Sequence, residues 1–134
     1  MKFIVYGKPV GKGRPKFARR GNYVQAYTPE NTRNYEELVK TRYLLINDRN
    51  MSENGLKIKI KAIFKPPKGT SKKKIAELIG KPYLHKPDAD NIAKIICDAL
   101  NGVAYKDDNQ IYYLSVEKEY GEENMTIVEI EYDE

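Results

Sequence analysis

The chain has 134 residues, a formal net charge of +5 and one cysteine. That length supports a single domain with its own core and no disulfide staples, and the lone Cys97 points to a reducing, cytoplasmic setting. No apolar run approaches the roughly 18 residues a membrane span needs, and the start of the chain lacks a signal-peptide pattern.

The charge is unevenly spread. Residues 1–20 hold seven Lys or Arg and no acid, residues 56–86 hold ten Lys and one acid, and residues 87–134 hold three Lys and thirteen acids. Such a partition suits a phosphate-binding surface set beside a cluster of carboxylates.

The first strand is predicted over Lys2 to Tyr6, with Phe3 and Val5 on one face. Gly7 to Arg20 reads as an irregular loop, because three glycines and Pro15 interrupt it. It has neither the spacing of a P-loop nor a Gly-Lys-Ser/Thr, which argues against nucleotide binding. Tyr27-Thr28-Pro29 enters a helix with capping candidates Thr28, Asn31 and Thr32. Its helical stripe is Tyr35, Leu38, Val39, Arg42, Leu45 and Ile46, and its end is expected near Asn47-Asp48.

Leu56 to Phe64 alternates strictly, with Leu56, Ile58, Ile60, Ala62 and Phe64 on one face and Lys57, Lys59 and Lys61 on the other. Those lysines form either a solvated face or a phosphate-contacting one. Ser71 can cap a short helix through Ile79 that begins Lys72-Lys73-Lys74, three cations opposed to the helix dipole. Two further strands are predicted, Gln110 to Tyr120 and Met125 to Tyr132. The C-terminal acids Glu117, Glu119, Glu122, Glu123, Glu129, Glu131, Asp133 and Glu134 overlap them, and the outward ones are placed to balance the lysine strand across the sheet.

The chemistry is concentrated in residues 86–111. Pro87 favours extended backbone at Lys86, and Asp88 and Asp90 would share one face if the extension continued. A helix then starts near Asn91. Ile92, Ile95, Ile96, Ala99 and Leu100 form its buried stripe, Cys97 joins its apolar side as a small core residue, and Gly102 is a natural residue just past its end. Asp90, Lys94 and Asp98 recur at i, i+4 and i+8 on another face. Asp107-Asp108 sits in the following turn. Five carboxylates in this short span repel one another unless a cation or proton sits among them. Oxygen donors without His or Cys suit Mg²⁺, with Mn²⁺ as substitute, rather than zinc. Local readings exist for each residue alone: Asp90 as a helix cap, Asp98 as the ion-pair partner of Lys94, Asp107-Asp108 as turn residues. Tyr83 and Tyr105 flank the segment and are the tyrosines best placed for a functional role.

The run Lys86-Pro87-Asp88-Ala89-Asp90-Asn91, then Lys94, then Asp98-Ala99-Leu100-Asn101-Gly102, then Asp107-Asp108-Asn109-Gln110-Ile111, resembles the RusA family of Holliday junction resolvases. The resemblance implies a single α/β (α+β) domain over residues 1–134, with a mixed sheet and two main helices, acting as a homodimer. It further implies a Mg²⁺-dependent endodeoxyribonuclease that nicks two strands of a four-way junction symmetrically. Its catalytic acids fall on Asp88, Asp90 and Asp108, which are also the expected metal ligands, and its catalytic lysine falls on Lys94. Asp98, Asp107 and Asn91 are supporting positions. Lys12, Arg14, Lys16, Lys72, Lys73, Lys74 and Lys86 are the expected DNA contacts. The competing expectations are a nuclease with broader branched or flap specificity and a non-catalytic branched-DNA-binding protein.

Overall fold

The computed structural model describes residues 1–47 and 49–133. Asp48, at the expected end of the first helix, and Glu134, last of the C-terminal acids, lie outside the described residues. The elements in chain order are β1 (Lys2–Tyr6), β2 (Lys16–Arg20), β3 (Tyr23–Tyr27), α1 (Glu30–Ile46), β4 (Leu56–Phe64), α2 (Lys72–Leu78) and α3 (Ala89–Leu100). A 3-10 turn (Asp108–Gln110), β5 (Ile111–Tyr120) and β6 (Met125–Tyr132) complete the described fold.

The main sheet has the order β1-β6-β4-β5. β6 runs antiparallel to both β1 and β4, whereas β4 and β5 are parallel. A parallel pair needs a crossover, and here α2 and α3 supply it. The mixed sheet and three helices make a single α+β domain. β4 alternates as predicted: Leu56, Ile58, Ile60, Ala62 and Phe64 are all buried beneath the helices. They meet Tyr35, Val39 and Tyr43 of α1 and Ile92, Ile95, Ile96 and Leu100 of α3 in one core.

The other face of the sheet is ionic. Lys59 reaches Glu131 at 3.3 Å, and Lys61 reaches Glu119 at 3.5 Å and Glu117 at 3.9 Å. Register brings the acids of β5 and β6 beside the lysines of β4. Lys59 and Lys61 are therefore balanced within the protein, as the acidic C-terminal strands led us to expect, whereas Lys57 lies over the rings of Tyr112 and Tyr113.

Three expectations are corrected. First, the loop before α1 is not wholly irregular. Lys16 to Tyr27 closes a hairpin in which Arg20 pairs with Tyr23 across the two-residue turn Gly21-Asn22. Gly21 has φ +61°, and among the described residues none other than glycine has a positive φ. That places the positive φ at the first turn position only, the pattern of a type II′ turn.

Second, α1 starts without a side-chain cap: Pro29 occupies the cap position. Thr32 is instead fully buried, and its Oγ1 accepts from the Gly13 N–H at 3.1 Å. Third, α1 buries Thr32, Tyr35, Val39 and Tyr43, leaving Leu38, Leu45 and Ile46 exposed. Tyrosine can take the inner stripe because both hydroxyls find partners, Tyr35 with Thr126 at 2.8 Å and Tyr43 with Tyr132 at 2.9 Å.

α2 agrees with its prediction: the Ser71 side chain accepts from the Lys74 N–H at 3.2 Å. The strand predicted from Gln110 begins one residue later, because Gln110 is held in the 3-10 turn.

Candidate active site

α3 is the platform of the site. Its buried stripe, Ile92, Ile95, Ile96, Ala99 and Leu100, is the predicted one, and Cys97 is buried with it. The helix ends on Asn101, and Gly102 follows with φ +76°. With the apolar side fixed in the core, helical geometry turns Asp90, Lys94 and Asp98 outward on one side.

The 3-10 turn brings the second part. Asp107 caps this turn, accepting from the Asn109 N–H at 3.3 Å. Gln110 reaches back, its Oε1 accepting from the N–H groups of Lys106 (2.8 Å) and Asp107 (2.9 Å). Its Nε2 donates to the carbonyls of Ser52 (3.0 Å) and Asn54 (2.8 Å). Four hydrogen bonds from one amide hold the turn rigid. Asp107 thus has the local turn role, and Asp108 is left facing α3.

Asp90, Lys94, Asp98 and Asp108 line one cavity of about 550 Å³, together with Ala93, Cys97 and Ile111 to Leu114. Hydrogen bonding to Asp107 pushes the Asp108 carboxyl above the ordinary aspartate range. Lost hydration and the negative charges of Asp107 and Asp98 add to this, while Lys94 pulls the other way. Lys94 has 62% of its side chain exposed and lies 3.9 Å from Asp98, so its ammonium remains available to the cavity. Burial, then the nearby Asp98 and Asp108, push the Cys97 thiol up to about 11, which keeps it protonated and unreactive near neutral pH.

Asp88 is elsewhere. α3 begins two residues earlier than expected, because the Ile92 N–H closes the first turn on the Asp88 carbonyl at 3.1 Å. Asp88 therefore occupies the N-cap position with extended backbone (φ −70°, ψ 151°), its side chain making no cap bond, while Asp90 is already helical. The two do not share one face of an extended strand. Asp88 opens on a cavity of about 330 Å³ with Lys8, Gly11, Lys12, Lys86, Pro87 and Asn91. Among the described residues, no three His, Cys, Asp or Glu side chains gather closely enough to hold a metal ion.

Lys12, expected as a DNA contact, is instead tied to the site's own acids, a contact that sequence reasoning missed. Lys12 Nζ lies 3.0 Å from Glu36 of α1 and 3.1 Å from Asp98 of α3. Burial disfavours its charge, but hydrogen bonds to Glu36 and Asp98 outweigh that and raise its pKa. Asp98 thus sits closer to Lys12 than to Lys94. The Lys12 N–H also donates to the Asn91 carbonyl at 2.9 Å. A Cβ at Gly11 would come within 2.8 Å of Pro87 Cβ, so only glycine allows this close passage. No local sequence signal could have found the contact, which joins three distant segments.

Of the other expected DNA contacts, Arg14, Lys16, Lys72, Lys73, Lys74 and Lys86 are exposed, and Lys74 lies 3.9 Å from Glu77. The two tyrosines singled out beside the acidic segment are structural. Tyr105 is fully buried and its hydroxyl donates to the Cys97 carbonyl, while Tyr83 stacks on Phe64 with 3.7 Å between ring centroids.

Comparison with known proteins adds to this geometry. The family model described as Endodeoxyribonuclease RusA matches residues 6–131. The chain is 35% identical over 127 residues to the uncharacterized protein YqaN of Bacillus subtilis (strain 168), covering 92% of this chain and 89% of the relative. The family match spans all the elements that build the site, from the Gly11-Lys12-Gly13 segment through α3 to the Asp108 turn, and the chain belongs to the RusA endodeoxyribonuclease family.

Proposed function

We propose that the protein is a Mg²⁺-dependent endonuclease that resolves four-way DNA junctions by paired symmetric nicks. The observation that carries this reading is the common cavity of Asp90, Lys94, Asp98 and Asp108 in a chain of this family. The donor chemistry fits a hard divalent cation. Mg²⁺ is commonly bound through one or two carboxylates, with waters and substrate phosphate oxygens completing its octahedron. Asp90 and Asp108 line the common cavity and would hold it; Asp88, the third expected ligand, opens on a separate cavity. When bound, the ion supplies Lewis-acid stabilisation of phosphate charge and a water of lowered pKa.

The chain's own groups divide the remaining work. Lys94 stands over the cavity to steady the charge on the scissile phosphate or to orient the attacking water. Asp98, held by Lys12, leaves the Lys94 ammonium less neutralised than a simple i, i+4 pair would. Asp107 and Gln110 fix the backbone from which Asp108 projects. The exposed Arg14, Lys16, Lys72, Lys73 and Lys86 dock the DNA backbone.

Two sites related by a two-fold axis match the approximate symmetry of a junction, so the reading includes a homodimer. The exposed Leu38, Leu45 and Ile46 of α1 and Tyr112 to Leu114 of β5 are among the apolar surfaces available to it. The testing experiment is cleavage of a synthetic four-way junction beside linear duplex of the same sequence, with Mg²⁺ or EDTA. Junction-selective nicking only with Mg²⁺ is expected. Equal cutting of both substrates would remove junction selectivity, and a panel of flaps and forks would then define a broader nuclease. Tight junction binding without turnover would mark a non-catalytic binder.

A further inference from the structure

We propose that the β2–β3 hairpin is a DNA-gripping arm that holds one strand of the substrate beside the active-site cavity. The proposal rests on the DNA-cleaving reading above and adds a surface to it.

The hairpin is a ribbon of two strands that pair only with each other. Ala18 alone is partly covered; the other strand residues are exposed. Phe17 is 71% exposed, and Tyr23 and Val24 are each 64% exposed. An isolated two-stranded ribbon is only marginally stable in water. Four large exposed apolar or aromatic side chains on such a ribbon, counting Tyr27, suit a binding element rather than a core element.

The register sorts these residues. Lys16 lies opposite Tyr27, Ala18 opposite Gln25, and Arg20 opposite Tyr23. Directly paired residues share a face, so this face carries a cation beside a tyrosine at each end and small or neutral groups between. The two cation–tyrosine rungs are four residues apart, about 13 Å at roughly 3.3 Å per residue. A DNA strand carries a phosphate about every 3.4 Å of duplex axis, so the face spans about four of them. The cations match the phosphates, and tyrosine rings offer stacking platforms for bases without sequence preference.

Charge selects the occupant. There is no Asp or Glu from Met1 to Pro29, so the ribbon contains no internal counter-charge. A second copy meeting the same face across a two-fold axis would set Lys16 and Arg20 against their own images. A polyanion meets no such repulsion.

Placement gives the arm its purpose. Immediately before the ribbon, the Lys12 N–H is bound to the Asn91 carbonyl at the start of α3, and the Gly13 N–H to Thr32 in α1. Lys12 Nζ is clamped between Glu36 and Asp98. Immediately after it, the chain enters α1 through Pro29. The ribbon is thus tied to α3, which lines the cavity, and to α1, which packs against α3. A strand gripped by the arm is held in register with Asp90 and Lys94.

The test measures binding of the full-length protein to a fluorescent four-way junction in EDTA, over a salt titration. Lys16→Gln/Arg19→Gln/Arg20→Gln should bind about 10-fold or more weakly at moderate salt. Its log–log salt slope should be lower by two to three, about one per lost phosphate contact. Tyr23→Ala/Tyr27→Ala should lose affinity with its slope unchanged, and Tyr23→Phe/Tyr27→Phe should restore it. These side chains are exposed, and melting curves confirm that each variant is folded. Wild-type affinity and slope in the triple variant would overturn the arm. So would a loss of affinity accompanied by dissociation to a smaller species in size exclusion, which makes the ribbon a contact between copies. Failure of the wild type to bind any DNA would instead sink the DNA reading on which the arm depends.

Discussion

β4 and β2 both carry clustered cations, and their surroundings differ completely. Lys59 and Lys61 of β4 face glutamates on both neighbouring strands, at 3.3 to 3.9 Å. Lys16, Arg19 and Arg20 of β2 belong to a ribbon with no acid in either strand. A run of positive charge therefore becomes a polyanion surface only where the fold withholds counter-charges. In β4 the lysines complete a ladder across the sheet, and in β2 they are left for a partner.

The largest expected effect separates chemistry from both basic surfaces. Asp90→Asn should abolish junction cleavage, by about three powers of ten, as expected if a bound divalent ion contributes several kcal/mol of transition-state stabilisation. Junction affinity in EDTA should stay within about twofold, since the cationic surfaces are untouched. Cleavage at the wild-type rate would show that Asp90 holds no metal. Next comes Lys94→Ala. Removing one charge-stabilising donor should lower the single-turnover rate by about 100-fold with little change in affinity. A loss of affinity alone would move Lys94 from the chemistry to phosphate docking and enlarge the DNA surface.

Lys12→Met tests whether a half-buried cation of the N-terminal segment behaves like β4 or like β2. It should lower stability by about 2 kcal/mol in denaturant titration, because Glu36 and Asp98 lose their common hydrogen-bond donor. It should also slow cleavage about 10-fold while leaving the salt slope of binding unchanged. A slope lower by one would make Lys12 a direct phosphate contact. The smallest effect belongs to Lys59→Gln/Lys61→Gln, whose exposed ion pairs contribute at most about 1 kcal/mol each. Junction affinity should be unaltered. A drop in affinity would erase the distinction between the two strands.

Much of the helix-borne part of the site was legible beforehand. The i, i+4, i+8 spacing of Asp90, Lys94 and Asp98 beside the stripe from Ile92 to Leu100 follows from helical geometry alone, and the structure keeps it. The Gly102 termination and the β4 alternation were legible for the same reason. The start of α3 was not. A helix can close its first turn on either Asp88 or a later residue at similar local free energy, and the difference decides whether Asp88 and Asp90 diverge. The α1 stripe was ambiguous too. Its sequence offers overlapping apolar faces, and the tyrosine hydroxyl partners Thr126 and Tyr132, about 90 residues away in the chain, favour one of them.

The sequence by itself determined the periodicities: one acid-bearing helix, one alternating strand, a turn at Asp107-Asp108, and a basic stretch to residue 86 followed by an acidic remainder. These depend on neighbours within a few residues, where helix and strand geometry are fixed. Tertiary structure alone decided which carboxylates share a cavity, which lysines are neutralised and where the basic hairpin is anchored. Those outcomes depend on contacts such as Lys12 with Glu36 and Asp98, whose partners are 24 and 86 residues away. Electrostatics acts through space, so a charge acquires its role only after folding has chosen its neighbours.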